Sequence, residues 1–260
     1  MREAQTLMEE GPLEKVVLSR ALLAGLPEGA VAHLFMEALT VHPETLVALA
    51  HTPATGTWLG ASPERLISFE NELVRTEAVA GTRSVDQGPV ELEAWGEKER
   101  HEQAVVAQAV EQALMASGAR SIHQHPAEVI TQGRLAHLRT RFTAELSTVD
   151  RARLVAHLHP TPAVCGSPRE KALAFIASHE AHPRGLYAGY WGVWDPAGRT
   201  ELFVNIRCLQ AHGEKAVVYA GAGITAGSDP GMEWLETSRK AAIWSGPLNK
   251  LMPSPTSSHT

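Results

Sequence analysis

A glycine-rich turn placed directly before a helix constrains this chain more than any other feature of its sequence. The turn begins at Gly221, and Asp229 followed by Pro230 is typical of a helix start. Asp accepts hydrogen bonds from first-turn amides, and Pro fits where no intrahelical N–H is needed. Glu233 and Glu236 lie three residues apart and therefore project from one helical face. This pair predicts either a solvated acidic face or one half of a metal and substrate site.

A second pair of carboxylates with the same spacing lies far upstream. Glu99 and Glu102 fall on the longest predicted helix, residues 91–117. Two such helices can face each other across a cation, as in carboxylate sites built from paired helices. Mg²⁺ is the natural candidate, because it prefers hard oxygen ligands and is held by one or two carboxylates plus substrate anions. The histidines form no His-x-x-x-His pair, which argues against a zinc hydrolase, but a carboxylate-bridged metallohydrolase stays an alternative.

Composition limits the class of protein. The 260 residues are 44% hydrophobic and 20% charged, which indicates one large globular domain. A formal net charge of −6 and a pI near 6.1 give no general attraction for nucleic acid. The charged N-terminus and the absence of an apolar run of roughly 18 residues predict no membrane span and a cytoplasmic location. Cys165 and Cys208 are predicted to be free thiols.

The chain alternates between β-branched runs and amphipathic segments. Hydrophobic periodicity predicts helices over 1–11, 29–39, 91–117, 147–158, 167–180 and 229–244. Alternating runs predict strands over 13–20, 46–51, 57–61, 65–69, 72–76, 139–145, 187–194, 201–209 and 216–220. The strands between residues 46 and 83 are expected to form one antiparallel meander.

Three single residues carry charge where an apolar residue would be expected or where a turn meets a strand. Lys15 lies on the first strand and is either a solvated edge residue or a functional amine. Glu64 lies just before the predicted strand 65–69 and is either a turn-capping surface acid or a partly desolvated acid. Arg207 lies mid-strand among apolar residues, where a charge needs a partner. That partner is either a carboxylate ligand or an internal salt bridge.

A series of short motifs resembles one family in order and spacing. The motifs are Lys15-Val-Val-Leu-Ser-Arg20, Ala61-Ser-Pro-Glu-Arg65, Ala80-Gly-Thr-Arg83, Lys98-Glu-Arg-His-Glu102, His159-Pro-Thr-Pro-Ala163, Ile206-Arg-Cys208 and Ala220-Gly-Ala-Gly-Ile224. They resemble the chorismate-utilising enzymes, which include isochorismate, salicylate, anthranilate and aminodeoxychorismate synthases. The resemblance covers about residues 10–245.

Two positions distinguish the branches of this family. Isochorismate and salicylate synthases have a lysine at the position of Lys15, where anthranilate synthases typically have glutamine, so the resemblance argues against amination. Salicylate synthases tend to have threonine at the position of Ala163. The resemblance therefore implies isochorismate synthase activity, with salicylate synthase or a non-catalytic chorismate-binding subunit as alternatives. It leaves open whether the product feeds menaquinone or siderophore synthesis.

The resemblance also implies roles for single residues. Lys15 would be the general base that activates water, which needs a lowered pKa, and Glu64 the general acid, which needs a raised one. Glu102 and Glu236 match the family's Mg²⁺ ligands, whereas Glu99 and Glu233 match acids that support the bound substrate or the waters of the metal. The expected substrate contacts are Tyr187, Arg207, Gly221 and Gly223, together with His159 and Ala163 of the proline-rich loop.

The implied fold is α+β, with antiparallel β-sheets packed together and flanking helices, as in anthranilate and isochorismate synthases. Residues 1–250 are expected to form a single chorismate-binding catalytic domain without the family's usual N-terminal extension, and 251–260 a disordered tail. An unpaired sheet edge would invite a partner. Besides chorismate, the expected partners are therefore either a second copy of the chain or a chain that supplies the missing segment.

Overall fold

The computed structural model describes residues 1–88, 90–132, 135–196 and 198–251. The predicted tail, residues 251–260, lies outside these ranges except for its first residue. The helices are α1 (Arg2–Glu9), α2 (Ala30–Val41), α3 (Glu97–Ala116), α4 (Arg151–Leu158), α5 (Arg169–His179) and α6 (Pro230–Leu251). The strands are β1 (Lys15–Gly25), β2 (Leu46–Thr52), β3 (Gly56–Ser62), β4 (Arg65–Glu70), β5 (Leu73–Ser84), β6 (Arg120–Gln124), β7 (Glu128–Gln132), β8 (Leu135–Glu145), β9 (Gly166–Ser167), β10 (Tyr190–Val193), β11 (Thr200–Val204), β12 (Cys208–His212) and β13 (Lys215–Ile224).

The strands of the described residues form two antiparallel sheets. The first sheet has six strands in the order β2-β3-β12-β13-β1-β9. The second has seven, in the order β10-β11-β4-β5-β8-β6, with β7 also paired to β8. Helices flank both sheets, since α6 packs on β13 and β1 whereas α3 packs on β5. The predicted α+β fold with packed antiparallel sheets is confirmed.

The largest apolar cluster joins the two sheets to a helix. Trp58 and Tyr219 come from the first sheet, Phe69 and Phe142 from the second, and Leu114 from α3. The rings of Trp58 and Tyr219 stack with centroids 5.4 Å apart. Fully burying a large apolar side chain contributes about 1.5–3 kcal/mol relative to leaving it exposed. This cluster is therefore the main source of stability between the sheets.

Two short connections carry the chain from one sheet to the other. One joins β3 to β4 through Pro63 and Glu64, and the other joins β11 to β12 through residues 205–207. The two connections are hydrogen-bonded to each other. The Val204 amide donates to the Glu64 carbonyl at 3.0 Å, and the Ala61 amide donates to the Arg207 carbonyl at 3.1 Å. We call this pair of segments the paired crossovers.

The paired crossovers correct two predictions. The single meander expected over residues 46–83 is wrong, because β2 and β3 belong to the first sheet and β4 and β5 to the second. Pro63 has no N–H with which to continue a ladder. The single strand expected over 201–209 is also wrong, because Arg207 has a φ of 50°. A non-glycine residue at positive φ interrupts an extended strand.

Several boundaries also differ from the predicted ones. The helix expected from residue 91 starts at Glu97, after a short 3-10 turn over Leu92–Ala94. The strand expected over 187–194 is confined to β10. β6 and β7 were not predicted at all, since their polar sequences contain few of the apolar alternations typical of strands. Within the described ranges, no helix combines the length and the apolar character needed to cross a membrane.

A substitution at Gly166 tests how closely the short strand β9 packs on β1. The φ of Gly166 is 138°, and a Cβ at this position would lie 2.2 Å from the Lys15 carbonyl oxygen. We expect Gly166→Ala to destabilise the fold by about 3 kcal/mol, since backbone strain and a steric clash add together. Thermal denaturation monitored by circular dichroism measures the change.

Gly213 supplies the matched control. It also has a positive φ, 55°, but an added Cβ would meet nothing within 4 Å. Gly213→Ala should cost only about 1 kcal/mol, which is the backbone term alone. Equal losses in the two variants would contradict the close contact between Gly166 and β1.

Candidate active site

A small cavity of about 80 Å³ lies beside the paired crossovers. Most of the predicted site residues line it: Lys15, Glu64, Glu102, Ala163, Tyr187, Arg207, Gly221, Gly223 and Glu236. A neighbouring cavity of about 240 Å³ shares Thr82 and Glu236 with the first and is also lined by Glu99 and Glu233. The fold therefore gathers both Glu-x-x-Glu pairs and the three isolated charged residues in one region.

His159 is the predicted site residue that the fold places elsewhere. It follows the end of α4, and its ring packs against that of Tyr190 on the edge strand β10, with centroids 4.9 Å apart. It lines neither cavity. The interpretation of His159 as a substrate contact is therefore not supported by its position.

Lys15 and Glu102 form a buried charge pair in the cavity. Lys15 Nζ lies 2.9 Å from Glu102 Oε1, and the two side chains are 2% and 12% exposed. The contact does not meet the geometry of a hydrogen bond, so Lys15 Nζ has no hydrogen-bond partner among the described residues. Burial alone would raise the pKa of Glu102, but the adjacent Lys15 together with the charges of Lys240 and Lys98 outweighs burial and lowers the pKa below its ordinary value.

The pKa of Glu64 is shifted in the opposite direction to that of Glu102. Glu64 lies on the first crossover and is only 9% exposed. Burial, followed by the negative charge of Glu77, raises the pKa of the Glu64 carboxyl to about 7. Lys240, Lys15 and Arg207 oppose this rise without reversing it. Glu64 is therefore half protonated near neutral pH, as a general acid requires.

Arg207 lies on the second crossover and presents a positive charge to the cavity. Its backbone carbonyl accepts hydrogen bonds from the Ala61 amide and from Trp244 Nε1, at 3.1 and 2.7 Å. Burial lowers the pKa of the guanidinium, against the attraction of Glu236, Tyr187 and Glu64. Its side chain makes no ion pair or hydrogen bond with any described residue. Of the two partners expected for Arg207, an internal salt bridge is not seen in the described part of the chain. The other, a carboxylate ligand, fits the position of the guanidinium at the cavity.

Two glycines of β13 leave room for functional side chains. The turn expected to begin at Gly221 is wrong, because β13 continues to Ile224 and pairs with β1, with Gly221 opposite Ser19 and Gly223 opposite Val17. A Cβ on Gly221 would lie 2.5 Å from Tyr187 Oη, and a Cβ on Gly223 would lie 2.3 Å from Glu102 Oε1. Only glycine lets Tyr187 and Glu102 approach the strand this closely.

Lysines accompany the carboxylates of α3 and α6. Lys98 Nζ donates to Glu233 Oε1, and Lys240 Nζ donates to Glu236 Oε1, each at 2.6 Å. Burial raises the pKa of Glu233 despite Lys98. Among the described residues, no group of three or more His, Cys, Asp or Glu side chains forms a closed metal cage.

The donor set nevertheless fits Mg²⁺. Glu102 and Glu236 supply hard oxygens to the same cavity, from two different helices. Mg²⁺ commonly uses only one or two carboxylates and keeps its waters or takes substrate anions as the other ligands. A softer metal would require histidine or cysteine donors.

His137 lines the cavity and was missed by the sequence analysis. Its Nδ1 lies 3.2 Å from both the Gly81 carbonyl and Thr82 Oγ1, whereas Nε2 has no hydrogen-bond partner among the described residues. Burial, together with Arg207 and Lys240, lowers its pKa to about 3, so the ring is neutral. The only sequence signal was a histidine within the apolar run at the start of β8, and that part of the strand was not predicted.

The raised pKa of Glu64 predicts a pH-dependent stability. The folded protein holds a proton that the unfolded chain releases above pH 4.5, so the stability contribution of this group falls as pH rises from about 4.5 through about 7. The loss amounts to about 3 kcal/mol. Glu64→Gln should remove this decline in urea unfolding measured across that range, whereas Glu70→Gln, which alters an exposed acid at the last residue of β4, should retain it. Identical pH profiles for the two variants would contradict the assigned environment.

Comparison with known proteins places this site in a family. Residues 1–245 match the family model described as Chorismate binding enzyme. Isochorismate synthase DhbC of Bacillus subtilis is 37% identical over 247 residues, which cover 89% of this chain and 62% of that protein. Isochorismate synthase MenF of Escherichia coli is 33% identical over 247 residues, which cover 92% of this chain and 57% of that protein.

The fold agrees with a solved structure of the same relative. The structure of MenF, the menaquinone-specific isochorismate synthase from Escherichia coli, superposes with a TM-score of 0.80 at 32% identity. The superposition covers 95% of this chain and 59% of that one, so the chain spans about three fifths of the length of the relatives it matches. The match over nearly the whole chain, in both sequence and fold, shows that this protein belongs to the chorismate binding enzyme family.

Proposed function

We propose that this chain is an isochorismate synthase, which isomerises chorismate by adding water at C2 and releasing the C4 hydroxyl. One observation carries the proposal: the cavity holds an amine, Lys15, together with a buried acid, Glu64, whose pKa is raised to about 7. The reaction needs one group that accepts a proton and one that donates it. The names of the two relatives support the same reaction.

The two proton transfers balance across the ring. Lys15 would take a proton from water as the oxygen bonds to C2, which requires the amine first to give up its own proton and with it the charge that now pairs with Glu102. Glu64 gives its proton to the C4 hydroxyl, which leaves as water while the ring double bonds shift. Lys15 then carries the extra proton and Glu64 is ionised, and exchange with solvent restores both. Burial of Glu64 supports the role of acid, because a solvated carboxyl would be ionised at neutral pH.

Substrate binding follows from the charges that lack protein partners. The guanidinium of Arg207 would hold one carboxylate of chorismate by charge-assisted hydrogen bonds. Tyr187 and the backbone at Gly221 and Gly223 would complete this contact, with Ala163 on the adjoining wall. His137 is neutral, and its Nε2 would contact a substrate hydroxyl. The two adjoining cavities together reach the lower end of the size range typical of ligand sites, roughly 300 Å³.

Mg²⁺ belongs to the same proposal. Glu102 and Glu236 would hold it, and Glu99 and Glu233 in the neighbouring cavity would support its waters. When bound, the ion would offset the negative charge of a substrate carboxylate. The lysines within ion-pair distance of Glu102 and Glu236 support this placement, because each acid already lies beside a positive charge.

Incubation of the purified chain with chorismate, with and without Mg²⁺, tests the proposal by chromatographic identification of products. We expect isochorismate only with Mg²⁺, and losses of about 10²–10⁴-fold in kcat for Lys15→Ala and Glu64→Gln, because each removes one proton transfer. Lys215→Ala and Glu70→Gln, which alter exposed residues, should retain activity.

Other outcomes separate the alternatives. Salicylate with pyruvate would identify a salicylate synthase. Binding of chorismate without turnover would indicate a non-catalytic subunit. Full activity in Lys15→Ala would contradict the role given to this amine.

The acid role also predicts the pH dependence of the reaction. Because Glu64 must be protonated, kcat/KM should fall as pH rises through about 7. Glu77→Gln removes a negative charge that raises the pKa of Glu64, so it should move this decline to lower pH. Glu72→Gln, an exposed acid beside the start of β5, is the control. An unmoved profile in Glu77→Gln would contradict the assignment of this limb to Glu64.

A further inference from the structure

A buried ion pair lies behind the cavity wall, between α5 and the turn that leads to Tyr187. Arg184 Nε donates to Glu180 Oε2 at 2.8 Å, and a second guanidinium nitrogen donates to Glu180 Oε1 at 2.6 Å. The two side chains are 17% and 4% exposed. Such a bidentate contact fixes the relative orientation of the two groups.

The pair continues the hydrogen bonding of β1 where its neighbour strand ends. On the side away from β13, β1 pairs with only the two residues of β9. Beyond them, the Val17 carbonyl accepts from Arg184 at 2.7 Å. The Ser19 amide donates to Glu180 Oε1 at 2.7 Å, and the Ser19 hydroxyl donates to the same oxygen at 2.9 Å. These two side chains therefore satisfy backbone groups of β1 that a neighbouring strand would otherwise pair with.

The same guanidinium also holds the two other segments of the cavity wall. It donates to the Val164 carbonyl at 2.8 Å, next to Ala163 on the proline-rich loop. Its Cζ lies 5.6 Å from the centre of the Tyr187 ring, and the Tyr187 amide donates to the Arg184 carbonyl at 2.9 Å. Val17, Val164 and Tyr187 all line the cavity.

Stability alone is a poor explanation for this arrangement. Burying a charge pair costs desolvation free energy that its attraction often only offsets. Burial opposes ionisation of both groups, yet their mutual hydrogen bonds and attraction outweigh it, so the pKa of Glu180 is lowered and that of Arg184 is raised. Both groups therefore stay charged around neutral pH.

We propose that Glu180 and Arg184 are positioning residues. They set the distances between β1, which carries Lys15, the proline-rich loop, which carries Ala163, and Tyr187, without touching the substrate. The inference rests on the proposed function for its substrate. Small displacements of groups around a reacting molecule can reduce its rate about 100-fold. The pair therefore acts through the placement of the cavity walls.

The test compares two buried arginines that each crosslink backbone carbonyls. Arg184→Lys keeps a positive charge but cannot contact Glu180, Val17 and Val164 together. Arg151→Lys is the matched control, because Arg151 is 1% exposed and donates to the carbonyls of Asn71, Asp195, Pro196 and Gly198, away from the cavity. For both variants the measurements are the thermal midpoint, the Kd for chorismate, and kcat and KM.

We expect Arg184→Lys to lower kcat/KM by about 10- to 100-fold and to weaken chorismate binding. Arg151→Lys should lower the thermal midpoint by a similar amount while its kcat/KM stays within about twofold of the wild type. Glu180→Gln, which retains an acceptor for Ser19 but loses the charge, should reproduce the kinetic loss if it folds. Similar thermal losses with unchanged kcat/KM and Kd in Arg184→Lys would overturn the inference.

The design also separates this inference from the proposed function. If the wild-type chain binds chorismate but forms no isochorismate, the proposed function fails, while the Kd comparison still tests the positioning role. If the wild-type chain forms isochorismate and Arg184→Lys equals the wild type in Kd and kcat/KM, the positioning role alone fails.

Discussion

The hydrogen bonds between the paired crossovers are the constraint on which the rest of the structure depends. The amides of Ala61 and Val204 bind the carbonyls of Arg207 and Glu64, so the two points where the chain changes sheets are held side by side. Buried backbone groups must find partners, and the carbonyls of Glu64 and Arg207 find theirs in amides at the ends of β11 and β3. Each strand end therefore pairs with the crossover that follows the other strand. As a result, an acid and a guanidinium from distant parts of the chain lie at one cavity.

Charge balance explains how several ionisable groups can share that cavity. Glu102 and Glu236 each have a lysine within ion-pair distance, so their charges are neutralised without a closed metal cage in the described residues. Among the residues that the structure describes, no cation forms an ion pair with Glu64, and burial keeps its proton bound up to a higher pH. Acids in one cavity thus differ in protonation because their neighbours differ. An anionic substrate bound together with a divalent cation would preserve this charge balance, because the negative charge of the substrate offsets the positive charge of the cation.

The backbone around the cavity is positioned by close approaches as much as by charge. Gly223 faces Glu102, and Gly221 faces Tyr187, at distances that no larger residue would allow. On the opposite side of β1, the side chains of Glu180 and Arg184 take the place of a neighbouring strand. β1 is therefore held on both sides, which fixes the start of the strand, where Lys15 lies. A rigid strand is a better support for a reacting amine than a loop.

Sequence motifs and periodicity identified the candidate site residues and most of the local elements that hold them. Periodicity predicted both Glu-x-x-Glu helices, and the order of the motifs indicated the family and its α+β fold. How these elements meet depends on contacts between distant segments. The strand expected over 201–209 is interrupted at Arg207, where the backbone turns between the sheets, and His159 lies outside the cavity, with its ring packed against that of Tyr190. His137 could not be found from spacing, since its place in the cavity depends on contacts with Gly81 and Thr82, more than fifty residues away in the chain. Local patterns record helix and strand periodicity, whereas protonation and pairing depend on burial and on neighbours that only the folded chain brings together.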